Sequence, residues 1–420
     1  MIQLRKLVFD GIKKKELEID DVFLDRLSYE LSVIEYLNLA EYFHIYTKII
    51  DICNSQGILR SYGRGSACGS LVNYCLDITK INPLKEGLIF ERFLNPSIAR
   101  FADIDIDIAK SSQKRIIEKL GEELPEYFVR KLAYLPPKTL TNYEKIFIGN
   151  TEFSLHPCAV LISLHGINLP VHDWGNESYY VSKDFSVDSQ LLDPFKFDIL
   201  ELETLRKLDL IAKQIGPEHH PYTLPLNDLE VFDFFKNGDL TNIFQFSSPK
   251  MEIIMSKFRP DSTQDLAMLN AMYRPGPMDN VPNLIHNKSH GFEDFYPGDG
   301  RVNKLLQETY GLLVYQETFF RLLNEIAGFS YIEADLLRRR YFRKFTKDTI
   351  FQFKRKFTDG CKENSSLVGE EIEQLAQMIV SNLAYAFPKS HSLSYSIIAY
   401  WSAYYKTHFA KEFESIFNQK

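Results

Sequence analysis

The chain has 420 residues, 45% of them apolar and 25% charged, the make-up of a folded protein with room for several domains. Its formal charge of −7 gives no global attraction to nucleic acid, so any such contact must come from locally clustered cations. Five scattered cysteines without Cys-x-x-Cys spacing point away from structural zinc and from a disulfide framework, and the absence of a signal-peptide apolar region or of a membrane-length apolar run makes a cytoplasmic protein with no membrane contact the expectation.

In chain order, residues 22–58 carry Leu24, Leu27, Leu31, Ile34, Leu37 and Leu39 near helical spacing. SYGRGSACGS at 61–70 interrupts that pattern with glycines and serines. LVNYCLDI resumes a short helix, and LIFERFLN predicts another that ends before Pro96. Asp103-Ile104-Asp105-Ile106-Asp107 alternates strictly and predicts a strand. Residues 110–150 read as charged and mostly helical, with a loop at 134–141 around Pro136 and Pro137. CAVLISL at 158–164 predicts a strand. LLDPFKFDIL predicts a second, ending near Asp198, with the helix LELETLRKLDLIAKQI directly after it. His219–Asn227 holds two prolines and marks a boundary. Beyond it helices are predicted at 228–236, 249–256, 262–273, 302–308, 314–327, 331–358, 369–384 and 392–417. The expected class is α+β, an α/β part over 1–204 interrupted by 111–185, followed by a mainly helical part over 205–420.

The alternation at 103–107 puts three carboxylates on one strand face and isoleucines on the other. Such a face repels itself unless solvated or neutralised, and a hard divalent cation is the natural counter-charge. The bland alternative is a solvated edge strand. Periodicity alone leaves the pairs Asp103/Asp105 and Asp105/Asp107 equally eligible as ligands. GRGSACGS offers closely spaced glycines and hydroxyls before a helix, with Arg64 beside them, which suits phosphate but also suits an ordinary turn; it is neither a Walker A loop nor a dinucleotide fingerprint. Asp198 at a strand end could reach a metal held by a neighbouring strand, or simply cap a helix. Lys196 shares its strand face and could neutralise phosphate or pair with an acid. Together these pieces make a recipe for two-metal nucleotidyl transfer.

The stretch 336–356 holds nine Arg or Lys against one Asp, interleaved with Tyr341, Phe342, Phe345, Phe351 and Phe353; it can contact phosphate and stack on bases, or form a solvated amphipathic helix. AYAFPKSHSLSY at 384–395 gathers Lys389, Ser390, His391, Ser392 and Tyr395 in a turn before a helix. NAMYRPGPMDN at 270–280 sets Arg274 in a rigid turn.

Taken in order, these motifs resemble the catalytic alpha subunit of bacterial DNA polymerase III, the C family of DNA polymerases. The family's Arg-Gly-Ser loop is matched by Arg64-Gly65-Ser66, its Phe-Glu-Arg-Phe-Leu-Asn-Pro segment by Phe90–Pro96, its aspartate strand by Ala102–Asp107 and its Lys-Phe-Asp segment by Lys196–Asp198. Ile243–Ser248, Ala271–Pro277, Thr309–Gly311, Gln316-Glu317, Ala334–Arg339 and Phe387–Ser392 follow in family order, with a looser match at His156–Val160.

The resemblance implies a nucleotidyltransferase-type (polymerase-beta-like) palm with a short thumb insertion and helical fingers. The expected divisions are 1–110 for N-terminal helices and first palm part, 111–185 for thumb, 186–204 for second palm part and 205–420 for fingers. It implies that Asp103, Asp105 and Asp198 bind two Mg²⁺ and that Asp107 is not a ligand. It assigns Arg64, Gly65, Ser66, Arg92, Lys196, Arg338, Arg339, Lys389 and His391 to nucleotide or phosphate, and Arg343, Lys344, Lys354 and Arg355 to DNA. The implied activity is template-directed transfer of a deoxynucleotide from a dNTP to a primer 3′-hydroxyl. The implied partners are primer-template DNA, dNTP, and a sliding clamp or accessory replication proteins from other chains.

Departures are Ala102 where the family has proline, Glu201 where it has glycine, and Arg340–Lys344 in place of Met-Gly-Lys-Lys. Expected too is a compact form without the family's N-terminal phosphatase-like domain and C-terminal modules, a form that origin in a phage or mobile element would explain. The competing readings are a distributive gap-filling or template-independent nucleotidyltransferase, and one DNA-binding piece of a split polymerase.

Overall fold

A computed structural model describes residues 1–98, 102–134, 145–148, 151–164, 169, 171–174, 177–182, 195–292, 296, 298–343 and 346–418. The chain forms two compact units. The first is Met1–Ala67, Val72–Lys80 and Ala99–Asp209; the second is Cys68–Leu71, Ile81–Ile98 and Leu210–Lys420.

The first unit is mixed α/β. Its strands are β1 (Asp105–Ala109), β2 (Phe128–Tyr134), β3 (Lys145–Ile148), β4 (Thr151–Ser163), β5 (Val171–Trp174), β6 (Glu177–Ser182) and β7 (Phe195–Leu202). Among the described residues they form one sheet in the order β1-β7-β4-β2-β6-β5, with β3 paired to β4. β1 and β7 are parallel, and Asp105 lies directly beside Asp198. β4 runs antiparallel on the far side of β7, with Ala159 opposite Asp198.

The alternation of β1 determines which face meets the core. Ile104, Ile106 and Ile108 are 1%, 2% and 0% exposed, and burial of each contributes about 1.5–3 kcal/mol. On that same face helix Ala40–Ser55 lays Tyr42 flat against Phe197 of β7, ring centroids 5.0 Å apart, with Tyr46 tilted against the same ring at 4.9 Å. Tyr46 also donates its hydroxyl to the Ile104 carbonyl. A one-residue slip of β1 would drive three carboxylates into this aromatic layer, so the register is strongly fixed.

Leu59–Ser61 runs antiparallel along the outer edge of β1: Ala109 N donates to Leu59 O at 2.9 Å, Arg60 bridges Ile108, and Ser61 N donates to Asp107 O at 3.0 Å. The buried Arg60 is held there by Asp77 Oδ2 at 3.0 Å and Asn54 Oδ1 at 3.2 Å. Since this segment runs opposite to β1, the residues after Ser61 travel back toward Asp105. Helix Ile2–Lys14 approaches the Cys75 carbonyl so closely that a Cβ on Gly11 would stand 2.0 Å from that oxygen, which only glycine permits.

Several local expectations change. Among the described residues of 110–150 the helix is Gln113–Glu123, and β2 and β3 follow: Phe128–Tyr134 carries Phe128, Val129 and Tyr134, which favour a strand, and pairs with β4 on one side and β6 on the other. The loop expected at 134–141 lies, from 135 onward, outside the described residues. Asp198 is not at a strand end: β7 runs on to Leu202, and helix Glu203–Ile215 starts after it. Glu201 is therefore a strand residue, not a helical one. Its Oε1 accepts from the backbone N–H groups of Ser112 and Gln113, both at 2.8 Å, capping helix Gln113–Glu123. Glu201→Ala should lower the unfolding free energy of this unit by about 1–2 kcal/mol, measured by urea denaturation; an unchanged midpoint would show that water serves these amides equally well.

Among its described residues the second unit is built of helices. Phe319, Phe320, Leu323 and Ile326 meet Phe357, Leu375 and Ile379 in one buried cluster. The helix Lys389–His408 carries Trp401 and Tyr400, both fully buried, and packs against Thr263–Met272 and Leu229–Asn237. Tyr400 Oη accepts from Asp228 N at 2.9 Å, and its ring lies 5.5 Å from Phe232. The predicted helix 331–358 is two helices, Tyr331–Arg343 and Lys347–Asn364. Thr346 caps the second through a reciprocal exchange with Thr349, so a threonine pair read as helix interior starts a new helix. Helices Ile2–Lys14 and Val281–His290 were not among the expectations. No described helix is long and apolar enough to cross a membrane.

Candidate active site

The in-register pairing of two parallel strands creates the acidic centre. Asp105 of β1 and Asp198 of β7 are cross-strand neighbours on the face away from the tyrosines, and Asp103 lies two residues before Asp105. One carboxylate oxygen from each of the three lies within 4.8 Å of the others, and no other His/Cys/Asp/Glu group of this kind occurs among the described residues. Asp103 is exposed, while Asp105 and Asp198 are half-buried, so the cluster opens to solvent on one side. Burial, then the neighbouring charges of Asp103 and Asp198, push the Asp105 pKa up to about 7 against the opposing pull of Arg64. A site that holds a proton there is short of positive charge. An all-oxygen donor set with an open side suits a hard divalent cation, so these residues fit one.

Asp107 continues the same face but has a different fate. It is 0% exposed, and its carboxylate accepts from Arg64 Nη1 at 3.0 Å and Ser61 Oγ at 3.3 Å. Burial raises its pKa to about 6, with Arg64 and Ser61 opposing. Of the two pairs that periodicity left open, the structure gathers Asp103 and Asp105 with Asp198, and gives Asp107 to Arg64.

Around Asp198, Lys196 Nζ donates to Oδ2 at 2.7 Å and the Cys158 thiol to Oδ1 at 3.4 Å. Burial works against the Lys196 charge, but Asp198 outweighs it and raises the pKa. Burial and then Asp198 raise the Cys158 pKa, which keeps it a neutral thiol. Cys158 and Ser61 were missed as contributors. The only signal for Cys158 was its place in CAVLISL, a strand whose partner carries Asp198. Gly65 takes φ +58, a left-handed turn open to glycine, and starts a short 3-10 turn that includes Ser66.

The raised Asp105 pKa has a pH consequence. The folded, metal-free chain holds this proton more tightly than the unfolded chain does. The resulting stabilisation is fully present below about pH 4, and is lost as pH rises toward about 7. Mg²⁺ should offset that loss, so the rise in Tm on adding Mg²⁺ should grow across this window. A shift independent of pH in thermal melts would contradict it.

The remaining candidates lie in the second unit. Arg92 Nε donates to Gln316 Oε1 at 2.7 Å; burial and the nearby Arg338 lower its pKa to about 10, still protonated. Asp335, 0% exposed, receives Arg338 Nη2 at 2.9 Å and Arg339 Nε at 2.6 Å. Lys389, 7% exposed, donates to Glu308 Oε2 and the Glu86 carbonyl, each at 2.8 Å, and its backbone N–H donates to Glu317. His391 lies between the rings of Tyr395 and Phe387, at 4.1 and 5.3 Å. Arg274 covers Phe387 at 4.2 Å and donates to the Tyr385 carbonyl, tying the Arg-Pro-Gly-Pro turn to the Lys-Ser-His-Ser turn. Lys354 is engaged by Glu373 at 2.6 Å, and Arg355 is exposed. Arg343 is described in its backbone alone, and Lys344 lies outside the described residues.

Comparison with known proteins gives two family matches, the bacterial DNA polymerase III alpha NTPase domain over residues 2–133 and the bacterial DNA polymerase III alpha subunit finger domain over residues 201–365. The chain is 30% identical to DNA polymerase III subunit alpha of Ureaplasma parvum serovar 3, over 98% of this chain and 49% of that protein. It is 28% identical to the proteins of the same name from Staphylococcus aureus strain COL, over 98% of this chain and 44% of the relative, and Bacillus subtilis strain 168, over 97% and 42%. The chain thus spans about half the length of the curated relatives it matches. The first match contains Asp103 and Asp105, Asp198 lies just ahead of the second, and the two together take in most of the ordered motifs; the chain belongs to the bacterial DNA polymerase III alpha-subunit family.

Proposed function

We propose that the chain is a DNA-directed DNA polymerase core, transferring a deoxynucleotide from a dNTP to a primer 3′-hydroxyl. The observation that carries this reading is the register of β1 on β7, which sets Asp105 beside Asp198 with Asp103 in reach. We assign two Mg²⁺ to these three residues. Two Mg²⁺ held by Asp103, Asp105 and Asp198 would supply a lowered pKa for the attacking hydroxyl and charge stabilisation for the leaving pyrophosphate.

The chain's own residues hold this site in shape. The tyrosine layer beneath β7 and β1 fixes the strands, and Lys196 and Cys158 hold Asp198 in one orientation. Arg64, Gly65, Ser66 and Lys196 are assigned to the triphosphate. Arg92 is assigned the same ligand class from the palm, Arg338, Arg339, Lys389 and His391 from the fingers, and Arg343, Lys344, Lys354 and Arg355 are assigned to DNA. Among the fingers residues, Arg338, Arg339 and Lys389 already face acids, so phosphate binding there is an exchange of partners. In this reading β1 and β7 belong to a nucleotidyltransferase-type (polymerase-beta-like) palm, divided as 1–110 and 186–204, the inserted thumb at 111–185 supplies β2–β6 to the same sheet, and the fingers are 205–420. A clamp or other replication proteins would supply processivity. The test is Mg²⁺-dependent extension of a primer, expected for the unsubstituted chain and absent from Asp105→Ala; equal extension by both would refute the assignment.

A further inference from the structure

Arg64 stands between two acids of one strand face. Its Nη1 is 3.0 Å from Asp107 Oδ1, and its Nε is 3.6 Å from Asp105 Oδ2. We propose that Asp107 is a positioning residue that draws Arg64 off Asp105 and so leaves Asp105 available to a divalent cation. This rests on the metal-site reading above and adds to it a competitor and the residue that restrains it.

The two acids differ in what they demand of Arg64. The Asp107 carboxylate is completely buried, and a buried anion requires a close, hydrogen-bonded partner. The Asp105 side chain is 29% exposed and has water as an alternative. The shorter, hydrogen-bonded contact accordingly goes to Asp107. The backbone helps: Ser61 N donates to the Asp107 carbonyl, and Ser61 Oγ to its carboxylate, which anchors the start of the Arg64 loop at this level of β1. Asparagine at 107 would keep the size and lose the charge. Arg64 would then have Asp105 as the nearer anion and would occupy an oxygen that a cation needs.

The test is Mn²⁺ titration of the whole chain by calorimetry, without DNA or nucleotide, with thermal melts to check folding. Asp107→Asn should weaken Mn²⁺ binding about tenfold. Adding Arg64→Gln to it should restore the affinity, because the competitor is gone. Arg64→Gln alone, which serves if Asp107→Asn does not fold, should bind Mn²⁺ at least as tightly as the unsubstituted chain. Unchanged binding in Asp107→Asn, no rescue in the double variant, or weaker binding in Arg64→Gln would each overturn the proposal. Asp105→Ala separates the two readings. If it binds Mn²⁺ normally, the metal site itself fails and takes this proposal with it. If it loses binding while Asp107→Asn does not, only the positioning role fails.

Discussion

Asp198→Ala should lower the rate of primer extension by on the order of 10³-fold or more, with little loss of fold stability. The rate loss follows from removing one of three carboxylates assigned to the metals, whose charge stabilisation amounts to several kcal/mol in the transition state. Two opposing terms decide the stability. Lys196 loses its partner at 2.7 Å, but its side chain is 37% exposed, so water can replace the carboxylate. Asp105 loses a neighbouring like charge that helps hold its pKa near 7, which relieves repulsion. The terms nearly offset, so a thermal melt should move little while extension collapses. Extension within tenfold of the unsubstituted chain would remove Asp198 from the catalytic set.

Asp335→Ala should cost about 3–5 kcal/mol of stability in the second unit, the range for leaving a buried ion pair one-sided. Asp335 is 0% exposed and serves Arg338, Arg339 and the Asn95 amide at 3.3 Å, so one truncation removes the acceptor of three donors. Arg338 is 8% exposed and cannot turn readily to water. Urea denaturation followed by fluorescence would show the transition at clearly lower denaturant. A loss under about 1 kcal/mol would mean the arginines find other acceptors.

What the sequence disclosed, and what it hid, differs by element. The acidic strand was legible because alternation with isoleucine is a period-two signal that needs no tertiary information. The separate fate of Asp107 was not: three acids share one face, and only the antiparallel Leu59–Ser61 segment brings Arg64 to the third. The end of β7 was misjudged because Leu200–Leu202 fits a strand or the first turn of a helix equally well. The paired strand β1 and the capping role of Glu201 settle it. Phe128–Tyr134 reads as helix amid charged neighbours because it lacks period-two alternation, and its pairing with β4 and β6, which spacing does not reveal, makes it a strand. In the second unit the motifs at 271–277, 316–317 and 387–392 were recognised separately. Their convergence through Arg274, Gln316 and Glu317 depends on long-range contacts that spacing does not reveal.

The most direct measurement is single-nucleotide extension of one primer on four templates that differ only at the first unpaired base, with Mg²⁺ and each dNTP in turn. The expected result is incorporation of the complementary nucleotide on each template, abolished by chelation of Mg²⁺ and in Asp105→Ala. Addition that ignores the template base, or that survives loss of the Asp105 carboxylate, would contradict a template-directed polymerase built on Asp103, Asp105 and Asp198.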